Sequence, residues 1–428
     1  MITSILRNTW PLFLGMAFLM LGNGLQGTLV SWRATYEGFT PSITGWIMMG
    51  YYAGFLAGSF YTPRLIAEVG YIRVFAELAS MASTAVLMHI LFINELAWFA
   101  MRVLTGFCFA GAYVIVESWL NAASSNRTRG QMLSLYMIIS WTGLAAGQWL
   151  LKLSHPSGFS LFLLSSILLS LALVPILIKR IDTPEVESHD RISVRVLLKE
   201  APAGVFTIFV SAIAHGAILA MGAVYAVKAG MTVTQTALFI SSFIALGALG
   251  QWPLGWLSDQ IDRRLVLLGA SIAGALLCTL MLQLDAGRGA FQVAFAALGA
   301  FSLPLYSIAV AQTNDRLDPE QMTGASSSII LVLGVGSILG PILAGYLLDT
   351  RGPEGYLIHL ALTHALLAAG LVYFIARRDA VPDEEQTSFQ TVPLRSSGVV
   401  MEAVALEAEE SLESDDSSSD SKDHPEPG

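Results

Sequence analysis

The stretch GQWPLGWLSDQIDRRLVLLG, residues 250–269, sets two aspartates and two arginines in a short turn between two long apolar runs. These side chains, Asp259, Asp262, Arg263 and Arg264, lie within six consecutive positions. A helix needs about 20 mainly apolar residues to cross the hydrocarbon core of a bilayer, and runs of about that length stand on both sides of the turn. The stretch therefore predicts two membrane helices joined by a charged loop at the membrane surface.

The composition of the whole chain is that of a membrane protein. It has 428 residues, of which 54% are hydrophobic and 13% are charged, and its mean hydropathy is +0.63. An ordinary soluble domain carries about 25% charged residues, so a soluble core could not bury this much apolar surface. Apolar runs follow one another almost without a break from Trp10 to Ala376, which predicts that lipid surrounds most of the chain.

The formal net charge of −9 is distributed unevenly. Residues 379–428 hold 14 acidic residues against Arg395 and Lys422, a local charge of −12, which leaves +3 for the rest. Neither part indicates a nucleic-acid partner. The two cysteines, Cys108 and Cys278, stand far apart inside apolar runs and predict neither a disulfide framework nor a metal site. We expect no metal and no cofactor.

Breaks at glycines, prolines and charge clusters divide the apolar part of the chain into twelve predicted spans. The first is longer than the apolar core of a typical signal peptide, and no small-residue cleavage site interrupts it. The spans lie near residues 9–33, 42–63, 71–93, 96–121, 130–152, 158–179, 203–227, 233–256, 264–284, 290–313, 323–348 and 355–377. An even number of spans predicts that both termini lie on the same side of the membrane.

Lysines and arginines in the loops predict the orientation of the chain. Short cytoplasmic loops are enriched in these residues. Fifteen of them fall on the side of the two termini and five on the other side. We therefore expect a multi-pass protein of the plasma (inner) membrane with both termini in the cytoplasm.

The longest internal loop, residues 179–202, divides the spans six and six. It predicts an N-terminal six-helix bundle at residues 1–179, a cytoplasmic linker at 180–202 and a C-terminal six-helix bundle at 203–377. The remainder, residues 378–428, is polar and acidic. It has too little apolar surface to offset the entropy cost of ordering the chain, which predicts a disordered cytoplasmic tail.

The charged turn between spans eight and nine resembles the signature of the major facilitator superfamily. In that signature an acid stands four residues after a glycine and basic residues follow, as Gly255, Asp259, Arg263 and Arg264 do here. The resemblance implies an all-α membrane protein with twelve transmembrane helices in two pseudo-symmetric halves. It also implies a conformational latch, whose hydrogen bonds and ion pairs form and break as the halves rock. Alternatively, the charges only fix the topology.

The corresponding loop of the first half departs from this signature. It keeps Gly58, Arg64 and Arg73, but no acid stands four residues after the glycine, and Glu68 is the candidate substitute. The resemblance thus implies a first-half latch and leaves the identity of its acid open.

Span four carries a second resemblance to the family. Arg102, Gly106 and Ala110 match its membrane-embedded arginine, which is followed by small residues at four-residue steps. The segment ESWLN, residues 117–121, is similar to a bacterial branch of the superfamily, the YcaD-like transporters. Membership of that branch does not indicate a substrate.

The same face of span four continues to Tyr113 and Glu117, so it is expected to point into the protein. Arg102 lies about 22 Å from Glu117 along the helix axis, which excludes an ion pair between them. The arginine can meet a substrate anion, a backbone carbonyl or Glu37. The glutamate either pairs with an arginine of the loop at residues 127–129 or takes up and releases a proton.

Span eleven contains the segment GSILGPILAG, residues 336–345, which is similar to a glycine-proline motif of antiporters in the family. Those proteins carry the motif in span five, so antiport does not follow. Pro341 is expected to bend the helix. Gly336, Gly340 and Gly345 are expected to allow close packing or a gate.

Polar residues on spans one, four, seven and ten are candidates for substrate and proton binding, because these spans line the central cavity in the family. Besides span four, they are Asn23 and Gln26 in span one, His215 in span seven and Gln312 in span ten. The amides either bind a substrate or bridge helices. His215 either titrates near neutral pH or bonds a helix carbonyl. The histidines of spans three and twelve are assigned to the outer scaffold.

These features together predict a secondary transporter. We expect a monomer in membrane lipid that moves a small molecule by alternating access between two rocking bundles, driven most simply by protons. One alternative is an uncoupled facilitator, and another is a membrane receptor or scaffold that moves nothing. The sequence has no GxxxxGK[ST], GxSxG or HExxH motif, so we expect no enzyme activity. Deletion of residues 385–428 is expected to leave transport intact.

Overall fold

The computed structural model describes residues 2–124, 126–178, 192–382 and 386–392, and its regular structure in these ranges is entirely helical. Loops between helices are short. Helices α2 and α3, for example, are separated only by Gly70, whose φ of 85° lies in the left-handed region that favours glycine. Side-chain caps begin other helices: the side chain of Asn94 accepts a hydrogen bond from the amide of Ala97 at 2.8 Å.

Seven helices form the described part of the first half. They are α1 (Ile2–Tyr36), α2 (Pro41–Val69), α3 (Tyr71–Leu91), α4 (Glu95–Ala122), α5 (Asn126–Trp149), α6 (Ser160–Leu171) and α7 (Leu173–Ile178). A single 3₁₀ turn, Leu150–Leu153, continues α5. The predicted sixth span is divided into α6 and α7. Pro175 has no amide to bond the carbonyl of Leu171, which accounts for the interruption.

Eight helices follow in the second half. They are α8 (Val194–Glu200), α9 (Pro202–Lys228), α10 (Val233–Ser258), α11 (Arg263–Met281), α12 (Gly289–Ser302), α13 (Pro304–Asn314), α14 (Pro319–Arg351) and α15 (Pro353–Ile375). Span ten is divided into α12 and α13 at Leu303. Pro304 begins α13 and, by the same argument, leaves the carbonyl of Ala300 without its helical donor.

Each predicted span coincides with a helix or with a pair of consecutive helices. Ten of these segments within the described residues are long and apolar enough to cross a membrane. The other two, α2 and α5, have 29 and 24 residues and contain many glycine, tyrosine, serine and threonine residues. These two helices pack beside the second half, α2 against α14 and α5 against α10.

Glycines set the closest helix contacts. In the first half, a side chain at Gly106 of α4 would collide with the backbone of Tyr51 in α2. In the second half, side chains at Gly336 and Gly340 of α14 would collide with the backbone of α9 at Phe209 and Ile213. These positions therefore have the close-packing role expected for them, because only a glycine lets the two backbones approach so far.

The beginning of α1 and the end of α15 lie at the same face of the molecule, which we call the termini face. Arg378, after α15, donates hydrogen bonds to the carbonyls of Lys199 and Glu200, just before α9 begins. Near the ends of their helices, Ser31 of α1 and Ala220 of α9 are joined by a hydrogen bond on the opposite face. Helices α1 and α9 therefore both start at the face where α15 ends.

Candidate functional site

Three helices of the first half meet at a buried polar cluster. Asn23 of α1 donates from Nδ2 to the Tyr113 hydroxyl of α4 at 2.6 Å and to the Tyr51 hydroxyl of α2 at 3.4 Å. The guanidinium carbon of Arg102 lies 4.5 Å from the centre of the Tyr51 ring. The structure thus brings together three predicted residues, Asn23, Arg102 and Tyr113, around one that the sequence analysis missed. In the sequence, Tyr51 is distinguished only by its position in the middle of an apolar span.

Arg102 does not meet Glu37, one of the partners suggested for it. Glu37 instead pairs with Arg33, four residues before it on α1, at 2.5 Å. The pair is local because residues four apart lie on the same face of a helix. Arg102 is buried and stacks on Tyr51, an arrangement in which the aromatic ring partly compensates the charge.

Gln26 lies three residues after Asn23 on α1 and has 0% exposure. Neither its amide nitrogen nor its amide oxygen has a hydrogen-bond partner among the described residues. A buried amide normally satisfies its donors and acceptors, so Gln26 offers both kinds of bond to another molecule. Gln312 is different. It lines a small crevice near Arg264 and Arg316 at the termini face, so the structure separates it from the cluster around Asn23.

Glu117 is buried and accepts a short hydrogen bond from the Tyr136 hydroxyl of α5. The sequence analysis missed Tyr136, which stands one helix away and carries no motif. The side chain of Arg127, one of the partners suggested for Glu117, lies outside the described residues. The choice between a structural ion pair and a proton-transfer role therefore stays a prediction.

His215 of α9 takes part in a chain of hydrogen bonds at the break between α12 and α13. Its Nε2 lies 2.9 Å from the Ser302 carbonyl oxygen, and His364 Nε2 of α15 lies 3.0 Å from the Ser302 hydroxyl. A carbonyl only accepts, so His215 Nε2 must carry a proton. His364 Nδ1 likewise donates to the Leu360 carbonyl at 2.8 Å, which leaves its Nε2 to accept from Ser302 when the ring is neutral.

Its place in span twelve led us to assign His364 to the outer scaffold. The structure instead places it in a hydrogen-bond network with a predicted site residue. It is joined through Ser302 to His215, whose Nδ1 has no partner among the described residues. Among the described residues, the imidazole of His89 in span three bonds only its own helix, at the carbonyl of Ala85, while the His89 carbonyl accepts a hydrogen bond from Trp98 of α4. Ser302 carried no signal in the sequence except its place two residues before Pro304.

The two halves are in contact near the opposite face. A side chain at Gly45 of α2 would collide with the Pro341 carbonyl of α14, and one at Gly345 would come within 2.6 Å of the Pro41 carbonyl. Helix α14 continues through Pro341 from residue 319 to residue 351. Together with the hydrogen bond between α1 and α9, these contacts close the space between the halves at this face.

A cavity of about 1250 Å³ lies between α5 and α10, on the side where the two halves adjoin. Its lining follows α5 from Gly130 to Trp149 and α10 from Leu238 to Asp259, and is mainly apolar. Phe389, Gln390 and Thr391 line it as well. Asp259 is the one predicted site residue in its described lining, so this cavity is distinct from the polar cluster around Asn23.

The charged turn of residues 250–269 forms a buried ion-pair cluster. Arg263, whose side chain is 1% exposed, contacts Asp259 at 3.0 Å and Asp315 at 2.7 Å. Arg264 pairs with Asp262 at 2.7 Å. Asp315, at the end of α13, was missed, although it directly follows Asn314 in a polar run. We call Asp259, Arg263 and Asp315 the latch cluster.

Two carboxyl groups of this turn differ in the direction of their pKa shift. Burial raises the pKa of Asp262, but hydrogen bonds and charge from Arg264 outweigh it, so the net pKa is below its usual value. Burial also raises the pKa of Asp315, and here it prevails over the opposing charge of Arg263. The Asp315 carboxylate thus depends on its partners to remain ionised.

The first-half counterpart has a different structure. Arg64, Glu68 and Arg73 are exposed, and within the described residues no ion pair joins them. Gly58 packs closely on the backbone of Phe107 in α4. A buried ion-pair cluster is therefore seen at the termini end of the second half and not at this loop of the first half.

The chain returns to the latch cluster after α15. The amide and the hydroxyl of Thr387 donate to Asp315 at 2.9 and 2.8 Å, and the amide of Phe389 donates to Asp259 at 3.0 Å. We expected a disordered tail from residue 378 onward. Residues 386–392 differ from that expectation because the carboxylates of Asp259 and Asp315 supply acceptors for their backbone. Residues 393–428 lie outside the described residues.

Two helical halves, each with a buried polar cluster on helices long and apolar enough to cross a membrane, are typical of a membrane transporter. The Major Facilitator Superfamily matches residues 12–285 and 204–406, and the chain belongs to that family. The predicted all-helical fold and the resemblance stated above are thereby confirmed, and the protein is a transporter of this type, not an enzyme.

Similar proteins agree with this assignment. The chain is 28% identical over 338 residues to the uncharacterized MFS-type transporter YcaD of Escherichia coli O139:H28 (strain E24377A / ETEC), covering 78% of this chain and 87% of YcaD. Among solved structures, the nucleoside transporter NupG superimposes with a TM-score of 0.71 at 13% identity, covering 86% and 99% of the two chains. A bacterial homologue of the human lysosomal transporter Spinster, inward-facing and unoccupied, gives 0.61 at 14% identity, covering 94% and 97%.

Proposed function

We propose that the protein carries a small polar solute across the membrane by alternating access and couples this movement to protons. The observation that supports it most directly is the asymmetry between the two faces. The halves touch at the opposite face through Gly45, Gly345 and Ser31, whereas at the termini face the cavity along α5 and α10 extends as far as Gly130 and Asp259. Such an arrangement is one of the two end states that rocking of two bundles requires.

The orientation follows from the loop charges. Lysines and arginines are concentrated in loops of the termini face, so we infer that this face is cytoplasmic. The conformation described here is then open toward the cytoplasm.

Gln26 and its neighbours are the proposed solute site. Gln26 offers an amide donor and an amide acceptor in the interior, and the Asn23 cluster adjoins it on α1. Arg102 adds a buried positive charge over Tyr51. A polar solute with hydrogen-bonding groups fits this chemistry, and an anionic group on it would be attracted by Arg102.

Two buried groups are candidates for proton coupling. His215 has an Nδ1 available to take a proton, and a second proton on the ring would leave its donation to Ser302 intact. Glu117 accepts a hydrogen bond from the Tyr136 hydroxyl. We favour His215, because its hydrogen-bond network joins three helices at the break in span ten. Protonation of His215 would therefore affect the contacts of all three helices.

The solute site is tested by removing one amide. A thermal-stabilisation screen of purified protein identifies a solute, and counterflow in liposomes then measures its exchange. Gln26→Leu removes two hydrogen bonds of the proposed site, so exchange is expected to fall at least about 10-fold, which corresponds to about 1.4 kcal/mol. Gln292→Leu, a buried glutamine of α12 outside the Asn23 cluster, is the matched control and should retain exchange. Equal exchange in the two variants would exclude Gln26.

Proton coupling and its alternatives are separated by a second measurement. With an imposed pH gradient, the coupled transporter concentrates the solute, and an uncoupled facilitator only equilibrates it. His215→Gln is expected to keep counterflow while losing concentration of the solute. Glu117→Gln should keep both counterflow and concentration of the solute. If Glu117→Gln loses concentration of the solute and His215→Gln keeps it, the coupling role belongs to Glu117. A receptor or scaffold would show no counterflow at all.

A further inference from the structure

Residues 386–392 enter the second half from the termini face and follow α13 inward. Thr387 lies at Asp315, just beyond the end of α13, and Val392 lies at Ser307. Ser307 donates to the Val392 carbonyl at 3.1 Å and accepts from its amide at 3.2 Å. Thr387 and Val392 have exposures of 2% and 0%, so both ends of the segment are buried.

The depth of this insertion follows from helix geometry. Eight residues separate Ser307 from Asp315, which at 1.5 Å per residue is about 12 Å along α13. Five residues separate Thr387 from Val392, and an extended chain of that length spans at most about 18 Å. The segment therefore runs antiparallel to α13 and reaches about 12 Å inward from the end of that helix, a distance that its five residues span without being fully extended.

The segment is bound by the latch cluster itself. Arg263 donates a short hydrogen bond to the Thr387 carbonyl, while Asp259 and Asp315 accept from the amides of Phe389 and Thr387. All three latch residues thus bond both to one another and to this segment. Hydrogen bonds to charged groups are stronger than those between neutral groups, so these contacts stabilise the bound segment.

Gly255 provides the seat for the one large apolar side chain of the segment. A side chain at Gly255 would collide with the ring of Phe389. The glycine of the family signature therefore accommodates the ring of the chain's own C-terminal segment here. Any larger residue at this position would displace the ring.

The other side of the segment faces the first half. Phe389, Gln390 and Thr391 line the cavity together with Gly130, Leu133 and Ser134 at the beginning of α5. In alternating access, closing the termini face brings these ends of α5 and α10 together. Phe389, Gln390 and Thr391 therefore border the space into which α5 would move.

From these contacts we propose that residues 386–392 are a wedge that holds the transporter open toward the termini face. The wedge must leave its seat on Gly255 and the latch cluster before the two halves can close there. The proposal rests on the alternating access proposed above. It replaces the expectation that deletion of residues 385–428 leaves transport unchanged, because removal of a wedge should favour closure.

The test compares two truncations of the full-length protein. One removes residues 386–428, and its matched control removes residues 393–428 and keeps the wedge. Spin labels at Ser134→Cys on α5 and Trp256→Cys on α10, with Cys108 and Cys278 replaced by serine, report the width of the cavity mouth by pulsed electron paramagnetic resonance. Purified protein in lipid nanodiscs is measured without any solute.

We expect the first truncation to raise the fraction of short distances at least about 3-fold over full-length protein, and the control to match full-length protein. Phe389→Ala should give an intermediate rise and Phe389→Leu a smaller one, since Leu still fills the seat on Gly255. Identical distance distributions in the two truncations would overturn the wedge.

Failure of the wedge and failure of transport give different results. If the distances shift as expected but no solute of the screen undergoes counterflow, the wedge stands and the transport mechanism falls. If counterflow occurs in all variants while both truncations have the same distances, transport stands and the wedge falls.

Discussion

The two halves share a helical architecture and differ in the burial and pairing of their charged side chains at the termini face. In the second half, Arg263 is buried between two carboxylates, and the chain's own C-terminal segment completes their hydrogen bonds. In the first half, Arg64 and Arg73 are exposed to solvent. Repetition of the backbone therefore does not require repetition of the ion pairs.

This difference has an energetic consequence. Exposed ion pairs contribute about 0–1 kcal/mol, because water screens them. Removing one partner of a buried pair instead costs about 3–5 kcal/mol, because a charge is left uncompensated. Conformational control at the termini face is thus expected to reside mainly in the second half, and each of the following variants probes that asymmetry or the matching contact at the opposite face.

The largest effect is expected from Arg263→Met. It leaves Asp259 and Asp315 without their shared cation in a buried site, so the free energy of unfolding should fall by about 3–5 kcal/mol. Arg73→Met, in the first-half loop, is the control and should change it by less than about 0.5 kcal/mol. Denaturant unfolding in detergent measures both. Equal losses in the two variants would contradict the asymmetry.

A smaller effect is expected at the contact between the halves. Gly45→Ala places a methyl group against the Pro341 carbonyl, so it should cost about 1–3 kcal/mol and favour opening at the opposite face. Gly27→Ala, in α1, should be neutral or slightly stabilising, because the added methyl group would meet no atom of a neighbouring element within 4 Å. Cysteine labelling near Gly45 from the opposite face should rise only in the first variant; unchanged labelling would show that this contact does not seal the halves.

The smallest effect concerns Asp262 and Arg264. The pKa of Asp262 is lowered in the folded protein, so its ionised form contributes stability above its unfolded pKa, and this is lost as pH falls through the folded pKa. Asp262→Asn should therefore lower stability by under about 1 kcal/mol at pH 7, and the difference should disappear in acid. A difference that persists at low pH would indicate that the Asp262 side chain acts mainly as the cap of α11.

Much of the fold could be predicted from the sequence, since each membrane helix corresponds to a continuous run of mainly apolar residues. The charged turn was correctly placed between α10 and α11, and the spacing of Arg102, Gly106, Tyr113 and Glu117 correctly indicated one buried face. The interruptions of spans six and ten were not predicted, although Pro175 and Pro304 mark them.

The site was predicted less completely. Four members, Tyr51, Tyr136, Ser302 and Asp315, were missed, because each matters only through a partner on another helix. Gln312 was grouped with Asn23 from its span alone, and the structure places it near Arg316 instead. Which helix face meets which depends on the rotation of the helices, and hydropathy does not fix that rotation.

By itself the sequence determined that lipid surrounds this chain, where its helices begin and end to within about seven residues, and which turn carries its family's pattern of charge and glycine. Only the tertiary structure decided that Arg263 takes a second carboxylate 52 residues away, that Asn23 meets a tyrosine 90 residues away, and that residues 386–392 bind the latch cluster. The physical reason is the separation along the chain over which each kind of interaction acts. Periodicity and propensity act between near neighbours in the chain, whereas hydrogen bonds between helices arise only after glycines have let the backbones pack.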